Sequence, residues 1–183
     1  MNKAVAVVGM CGSGKSVFCG YFTQLGWESV YFGGVTVNQL KAQGIPVNEA
    51  NERKVRDDLR ARLGKGAFAE VLKEEILQKL QKSNVVLDGL YSWSEYVILK
   101  QLLGDNLVVV AVVTDSRIRK QRLATRTVRP LTAEQVDCRD IAEIENSEKG
   151  GPIAKADYYV LNNGTEEQLK QQFHQFLQYF QTL

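Results

Sequence analysis

The chain has 183 residues, 44% hydrophobic and 24% charged, with 23 Lys and Arg against 21 Asp and Glu and a net charge of +2. That length suits a single domain able to bury a real core, and the near-balance of charge excludes a global nucleic-acid or membrane coat. No run approaches the ~18 apolar residues of a membrane helix, and the three cysteines (Cys11, Cys19, Cys138) are odd in number and lack metal-ligand spacing, so they read as free thiols in a reducing compartment.

From the N-terminus, Met1-Asn2-Lys3 runs directly into a strand pattern at Ala4–Val8 and leaves no room for a signal peptide. A cytoplasmic α/β protein is the expectation. Further short apolar segments follow at 29–32, 85–87, Leu107–Val113 and Tyr158–Leu161. Most lack the alternation of a one-sided strand, which is the pattern of strands covered on both faces. Helical stretches separate them, so the chain reads as β-α-β-α with a parallel sheet and right-handed crossovers. At the C-terminal end Thr165 and Gln168 form a capping box, and Leu169, Phe173, Phe176, Leu177 and Phe180 recur at helical spacing. Two polar, arginine-bearing excursions, at about 36–66 and 114–150, break the alternation. Such insertions beyond the strands' carboxyl ends are where α/β proteins keep ligand contacts.

Between the first strand and the first helix lies Gly9-Met10-Cys11-Gly12-Ser13-Gly14-Lys15-Ser16, a full match to G-x-x-x-x-G-K-[ST] in its required strand–loop–helix context. Glycines let the backbone wrap a phosphate with its N–H groups inward, and the helix start adds partial positive charge. Lys15 is expected on the β- and γ-phosphates and the Ser16 hydroxyl on Mg²⁺. Cys11 reads as a small filler. No N-K-x-D segment accompanies the loop, since the only Asn-Lys pair is Asn2-Lys3, which argues against a GTPase. The single acid in Asp88-Gly89 and the modest length argue against a motor or AAA-type ATPase. Asp88, at the end of a buried strand, is expected beside the same crevice as a Mg²⁺-shell or substrate residue.

The arginines extend the pattern. Asp115 and Ser116 mark a helix predicted to run toward Pro130, on which Arg119, Arg122, Arg126 and Arg129 fall at i, i+3, i+7 and i+10 on one face. Such a face suits phosphate oxygens. Arg53, Arg56 and Arg60 repeat the spacing in the first excursion, where two readings stay open: an acceptor-phosphate site, or a solvated face paired with Glu52, Asp57 and Asp58. The basic runs lack interleaved aromatics, so no nucleic-acid groove is expected. A donor clamp, an acceptor clamp and a mobile basic lid are the parts phosphoryl transfer needs. Rival readings are a slowly hydrolysing regulatory nucleotide switch and a nucleic-acid-linked ATPase. His174, alone beside Phe173, reads as a surface side chain, and Trp27 as packing at the core edge.

The order of these parts resembles the nucleoside-monophosphate-kinase group of P-loop kinases. It is most similar to an uncharacterised, mainly archaeal family of adenylate-kinase-related, dephospho-CoA-kinase-like proteins. The loop from Gly9 to Ser16 carries the resemblance, with Leu59-Arg60, Asp88-Gly89, Ser92, Glu95, Arg122, Arg126, Arg139-Asp140, Glu143, Ala156-Asp157-Tyr158, Asn162 and Gly164-Thr165 following in order along nearly the whole chain. The resemblance implies a three-layer α/β/α P-loop NTPase fold with a five-stranded parallel sheet of order 2-3-1-4-5. It implies one domain with core segments 1–35, 67–113 and 151–183, an acceptor-binding insertion at 36–66 and a lid at 114–150. Asn162 and Gly164 would lie near the donor base, and Thr36 and Gly89 join Arg53, Arg56, Arg60 and Asp88 as acceptor-side residues. Lys15, Arg122 and Arg126 would carry catalysis, with ATP and Mg²⁺ as cofactors and a monomer or homodimer as the assembly. Two departures stand out: Phe32-Gly33-Gly34-Val35-Thr36 lacks the acid that follows the second strand in dephospho-CoA kinases, and Tyr91 replaces a basic residue. A phosphate acceptor is already ionised and needs no base, so a nucleoside or deoxynucleoside monophosphate fits the chain better than a hydroxyl substrate.

Overall fold

Strand β1 (Ala4–Val8) is wholly buried, and its residues alternate between two cores. Ala4, Ala6 and Val8 face one helical layer, while Val5 and Val7 face the other. A computed structural model describing residues 2–127 and 130–183 shows why the strand is apolar at every position: it is the centre of a sheet covered on both sides. It pairs in parallel with β3 (Val85–Asp88) and β4 (Leu107–Val113). β2 (Glu28–Tyr31) adds to β3 and β5 (Tyr158–Leu161) to β4, giving five parallel strands in the order 2-3-1-4-5, as the family resemblance implies.

One layer is built on α1 (Lys15–Gln24) and α9 (Glu166–Phe180). Their aromatic residues interlock, with Phe22 and Phe173 at 4.8 Å and 90° and Phe18 and Phe173 at 5.4 Å and 85°. These are edge-to-face contacts, which the ring quadrupoles favour. Trp27 closes the edge of this cluster against Phe22 and Phe180, and His174 is exposed, both as expected. The Thr165–Gln168 capping box that starts α9 is formed. The opposite layer contains α4 (Ala67–Leu80) and α5 (Trp93–Leu103), with Phe68, Ile76 and Leu99 in its core.

The first excursion is helical, α2 (Gly34–Ala42) followed by α3 (Glu49–Leu63). The second holds α6 (Ser116–Thr125), α7 (Ala133–Glu145) and the short α8 (Gly150–Ala154). α6 stops earlier than predicted: Arg126 is already extended, and the Leu123 carbonyl accepts from Leu131 N at 3.0 Å as the chain folds back. Arg126 therefore leaves the helical face shared by Arg119 and Arg122, and Arg129 lies outside the described residues. A Thr132–Gln135 capping box starts α7 on the returning chain. Among the described residues, no helix is long and apolar enough to cross a membrane.

Candidate functional site

The register gathers the site. Val7 lies opposite Asp88, Val8 opposite Ala111 and Val113 opposite Leu161, so the carboxyl ends of β1, β3, β4 and β5 open on one crevice. There the loop from Gly9 to Gly14 makes its turns through positive φ at Gly9 (148°), Gly12 (79°) and Gly14 (96°). A Cβ at Gly9 would strike the Val112 carbonyl oxygen, and one at Gly14 would strike the Asn162 amide. The glycine spacing thus serves both conformation and close packing.

Asn162 is 5% exposed, and its Nδ2 donates to the Ser13 carbonyl at 2.8 Å. Thr114 Oγ1 donates to the same carbonyl at 3.0 Å. These two side chains hold the loop's outer wall, and Asn162 is spent on the loop backbone. Gly164 offers its carbonyl to Arg122 Nη2 at 3.1 Å, while Arg122 Nη1 is buried without a hydrogen-bond partner.

Lys15 Nζ donates to the Met10 carbonyl at 3.0 Å, folded onto its own loop. Burial pushes its ammonium down to about 8, and the neighbouring Lys149 ammonium adds to the depression, against the opposing charges of Glu143, Cys11 and Asp88. Beneath it, burial raises the Asp88 carboxyl, offset by Lys15 and by the Cys19 thiol, which donates a hydrogen bond to it. Ser16 stands exposed at the first turn of α1. A serine hydroxyl and a carboxylate are hard oxygen donors of the kind Mg²⁺ takes. Among the described residues no group of three or more His, Cys, Asp or Glu side chains is placed to hold a metal alone. An ion here would need phosphate and water oxygens as well.

Between the two excursions opens a cleft of about 1030 Å³. Its basic lining is Arg53, Arg56 and Arg60 from α3, Arg126 after α6, Arg139 from α7, and Lys149 before α8. The acids along it, Glu52, Asp57 and Glu143, leave a cationic excess. Arg53 and Arg56 lie 3.8 Å from Asp57 and Glu52 respectively, and Arg60 stacks 5.8 Å over Phe68. Both readings of the α3 arginines are therefore visible: Arg53 and Arg56 carry intrahelical ion pairs, and all three arginines line the cleft. Thr36 also lines it, although its hydroxyl already donates to the Gly33 carbonyl at 2.9 Å. Gly89, at φ 106°, turns the chain after Asp88 and leaves room for the Tyr91 ring, which lines the cleft floor.

Two buried cations bind this region together, and only the first of them, Arg119, is picked out by spacing in the sequence. Arg119 is 6% exposed and grips Asp140 through two hydrogen bonds, 2.9 and 2.6 Å, while donating to the Cys11 carbonyl at 3.0 Å. Arg119 was expected on a phosphate-facing stripe; here it is the bolt between the loop and α7. Lys149, 3% exposed, places Nζ 2.7 Å from Glu143 Oε2 and 5.2 Å over the Tyr91 ring. In the sequence Lys149 merely precedes a Gly-Gly-Pro run at 150–152, which carries no sign of a buried charge.

A strand–loop–helix with this glycine geometry, on a sheet of order 2-3-1-4-5, defines the P-loop NTPase fold. The family of AAA domains (AAA_18) matches residues 5–142. The chain belongs to that family and to the UPF0200 proteins, one of which, from Thermococcus kodakarensis, is 36% identical over 168 residues, covering 90% of each chain. That membership runs against the expectation, drawn from the modest length and the lone Asp88, that the chain is not an AAA-type ATPase. Among solved structures, TT1252 from Thermus thermophilus shares the fold at a TM-score of 0.68 and 20% identity over 97% of both chains. Shikimate kinase from Bacteroides thetaiotaomicron does so at 0.60 and 15% over 99% of both.

Proposed function

We propose that the protein is an ATP- and Mg²⁺-dependent small-molecule kinase, and that its acceptor already carries a phosphate, in the class of nucleoside or deoxynucleoside monophosphates. One observation supports this reading above others: a cationic cleft of about 1030 Å³ adjoins the P-loop side of the sheet, lined by side chains from both excursions. A water-hydrolysing switch has no need of a second basic chamber. Phosphoryl transfer between two anions does, because both must be neutralised and aligned.

In this reading residues 36–66 bind the acceptor and 114–150 form the lid. The loop amides and Lys15 hold the donor phosphates, with Lys15 exchanging the Met10 carbonyl for a phosphate oxygen. Arg122, through its unpartnered Nη1, and Arg126, at the cleft wall, meet the transferring group. Ser16 and Asp88 would hold the Mg²⁺, which when bound neutralises charge on the donor phosphates. An acceptor phosphate oxygen attacks the γ-phosphorus while the bond to the β,γ-bridging oxygen breaks, and ADP carries away that electron pair. No proton need be removed from an ionised acceptor, which accords with the absence of an acid after β2.

An ADP-release assay across nucleoside monophosphates, dephospho-CoA and nucleosides tests the proposal. At least one monophosphate is expected to raise ADP formation well above bare hydrolysis, and Lys15→Ala should lower turnover at least ~100-fold with the fold intact. Stimulation by dephospho-CoA alone would move the substrate to that class. If no acceptor stimulates, the kinase reading gives way to a regulatory ATPase.

A further inference from the structure

We infer that Lys149 is a phosphoryl-contacting residue, and that the Glu143 carboxylate occupies, in the ligand-free protein, the place the phosphoryl group takes. The inference rests on the kinase reading of the cleft and deepens it by naming the anion subsite within it.

Lysine is almost never fully buried without a partner, because losing water around an ammonium is costly. Lys149 is 3% exposed and yet sits on the wall of the cationic cleft. Its carboxylate partner is Glu143, whose Oε2 lies 2.7 Å from Nζ while its Oε1 accepts from Arg139 Nε at 3.2 Å. One carboxylate thus bridges two cations, and the Lys149 charge is felt as far as Lys15 on the P-loop. A phosphoryl group has the charge and the spread of oxygens to replace that carboxylate, bridging Lys149 and Arg139 at the boundary between donor loop and acceptor chamber. The backbone is shaped to deliver the lysine. Glu148 adopts φ 53°, which non-glycine residues rarely do, and is pinned there by Lys65 at 2.6 Å across to the first excursion. A buried ion pair is weak evidence for a purely stabilising role, since apolar residues would serve at least as well. An open, anion-sized exchange explains why the pair faces a cleft.

Calorimetric titration of the full chain with inorganic pyrophosphate, alongside Mg²⁺ and a non-hydrolysable ATP analogue, tests the assignment. Lys149→Met keeps the stem and removes the charge; it should weaken pyrophosphate binding about tenfold, the loss of one charge-assisted contact. Glu143→Gln removes the competing anion and should tighten binding by about threefold or more. The opposite signs separate a ligand role from a structural one, in which both variants would weaken binding. Unchanged affinity in Lys149→Met, or weakening in Glu143→Gln, overturns the inference. Should Lys149→Met fail to fold, Glu143→Gln decides alone, since it retains Lys149. A wild-type protein that binds pyrophosphate but not the ATP analogue would instead overturn the kinase reading and leave the anion subsite standing.

Discussion

Glu95 shows how one buried side chain couples architecture to pH. It is the N3 residue of the Ser92 capping box, fully buried, with Oε2 accepting from Tyr91 N at 2.8 Å and Ser92 N at 3.0 Å. Its Oε1 has no partner. Burial pushes its carboxyl up to about 7, against the pull of the Tyr91 amide, Arg60, the Ser92 amide and Lys149. The folded state therefore binds this proton more tightly than the unfolded chain does, and stability falls as pH rises from about 4.5 to about 7, then levels. The ionised form costs on the order of 3 kcal/mol, at about 1.4 kcal/mol for each unit by which the pKa moves. Urea unfolding of Glu95→Gln at pH 5 and pH 8 should show a smaller difference between the two than wild type by up to that amount. Equal differences would remove Glu95 as the cause.

Among the elements, the join between α6 and α7 is the one that no local pattern announces. Arg119 reaches from α6 to Asp140 on α7 and to the Cys11 carbonyl, so the second excursion and the phosphate loop share one guanidinium. Arg119→Met would leave the Asp140 carboxylate unpaired at a site where it is 16% exposed, a loss of roughly 3 kcal/mol by comparison with other broken buried pairs. Amide hydrogen exchange should then quicken across α7 far more than across α4, which packs on α3, α5, β2 and β3. Uniform acceleration would mean that Arg119 serves the fold at large. The α1–α9 aromatic layer is a separate case: Phe173, 2% exposed, meets Phe18, Tyr21 and Phe22. Phe173→Ala is expected to cost about 3–5 kcal/mol in chemical denaturation while leaving the cleft residues in place. A cost under ~1 kcal/mol would show that the layer collapses around the void.

At the scale of the whole molecule, charge is distributed rather than summed. A net charge of +2 conceals a cationic chamber assembled from both excursions. If that chamber takes an anionic acceptor, the apparent affinity for a monophosphate should fall as salt rises from 50 to 300 mM, because an open cleft is screened over a Debye length of about 10 Å near 0.1 M. The KM for the acceptor should rise several-fold while kcat changes little. A KM independent of salt would place the acceptor's contacts elsewhere.

The sheet was legible in the chain because the three central strands β1, β3 and β4 are short, apolar runs separated by helical spacing, a consequence of burial on both faces; the edge strands β2 and β5 each bury a single residue fully and carry a weaker signal. The phosphate loop was legible for a similar reason: its glycines, lysine and serine are contiguous, and local backbone geometry dictates their order. Strand order came from the family resemblance and was met in the pairing of β1 with β3 and β4. α6 is shorter than its arginine spacing predicts, because that spacing says nothing about a carbonyl, at Leu123, that Leu131 takes from eight residues on. Arg119 with Asp140, Lys149 with Glu143, and Asn162 with Ser13 were decided only by the tertiary structure. Each pair joins groups that local spacing keeps apart, and whether a polar group meets ligand, partner or water depends on the distance that folding leaves between them.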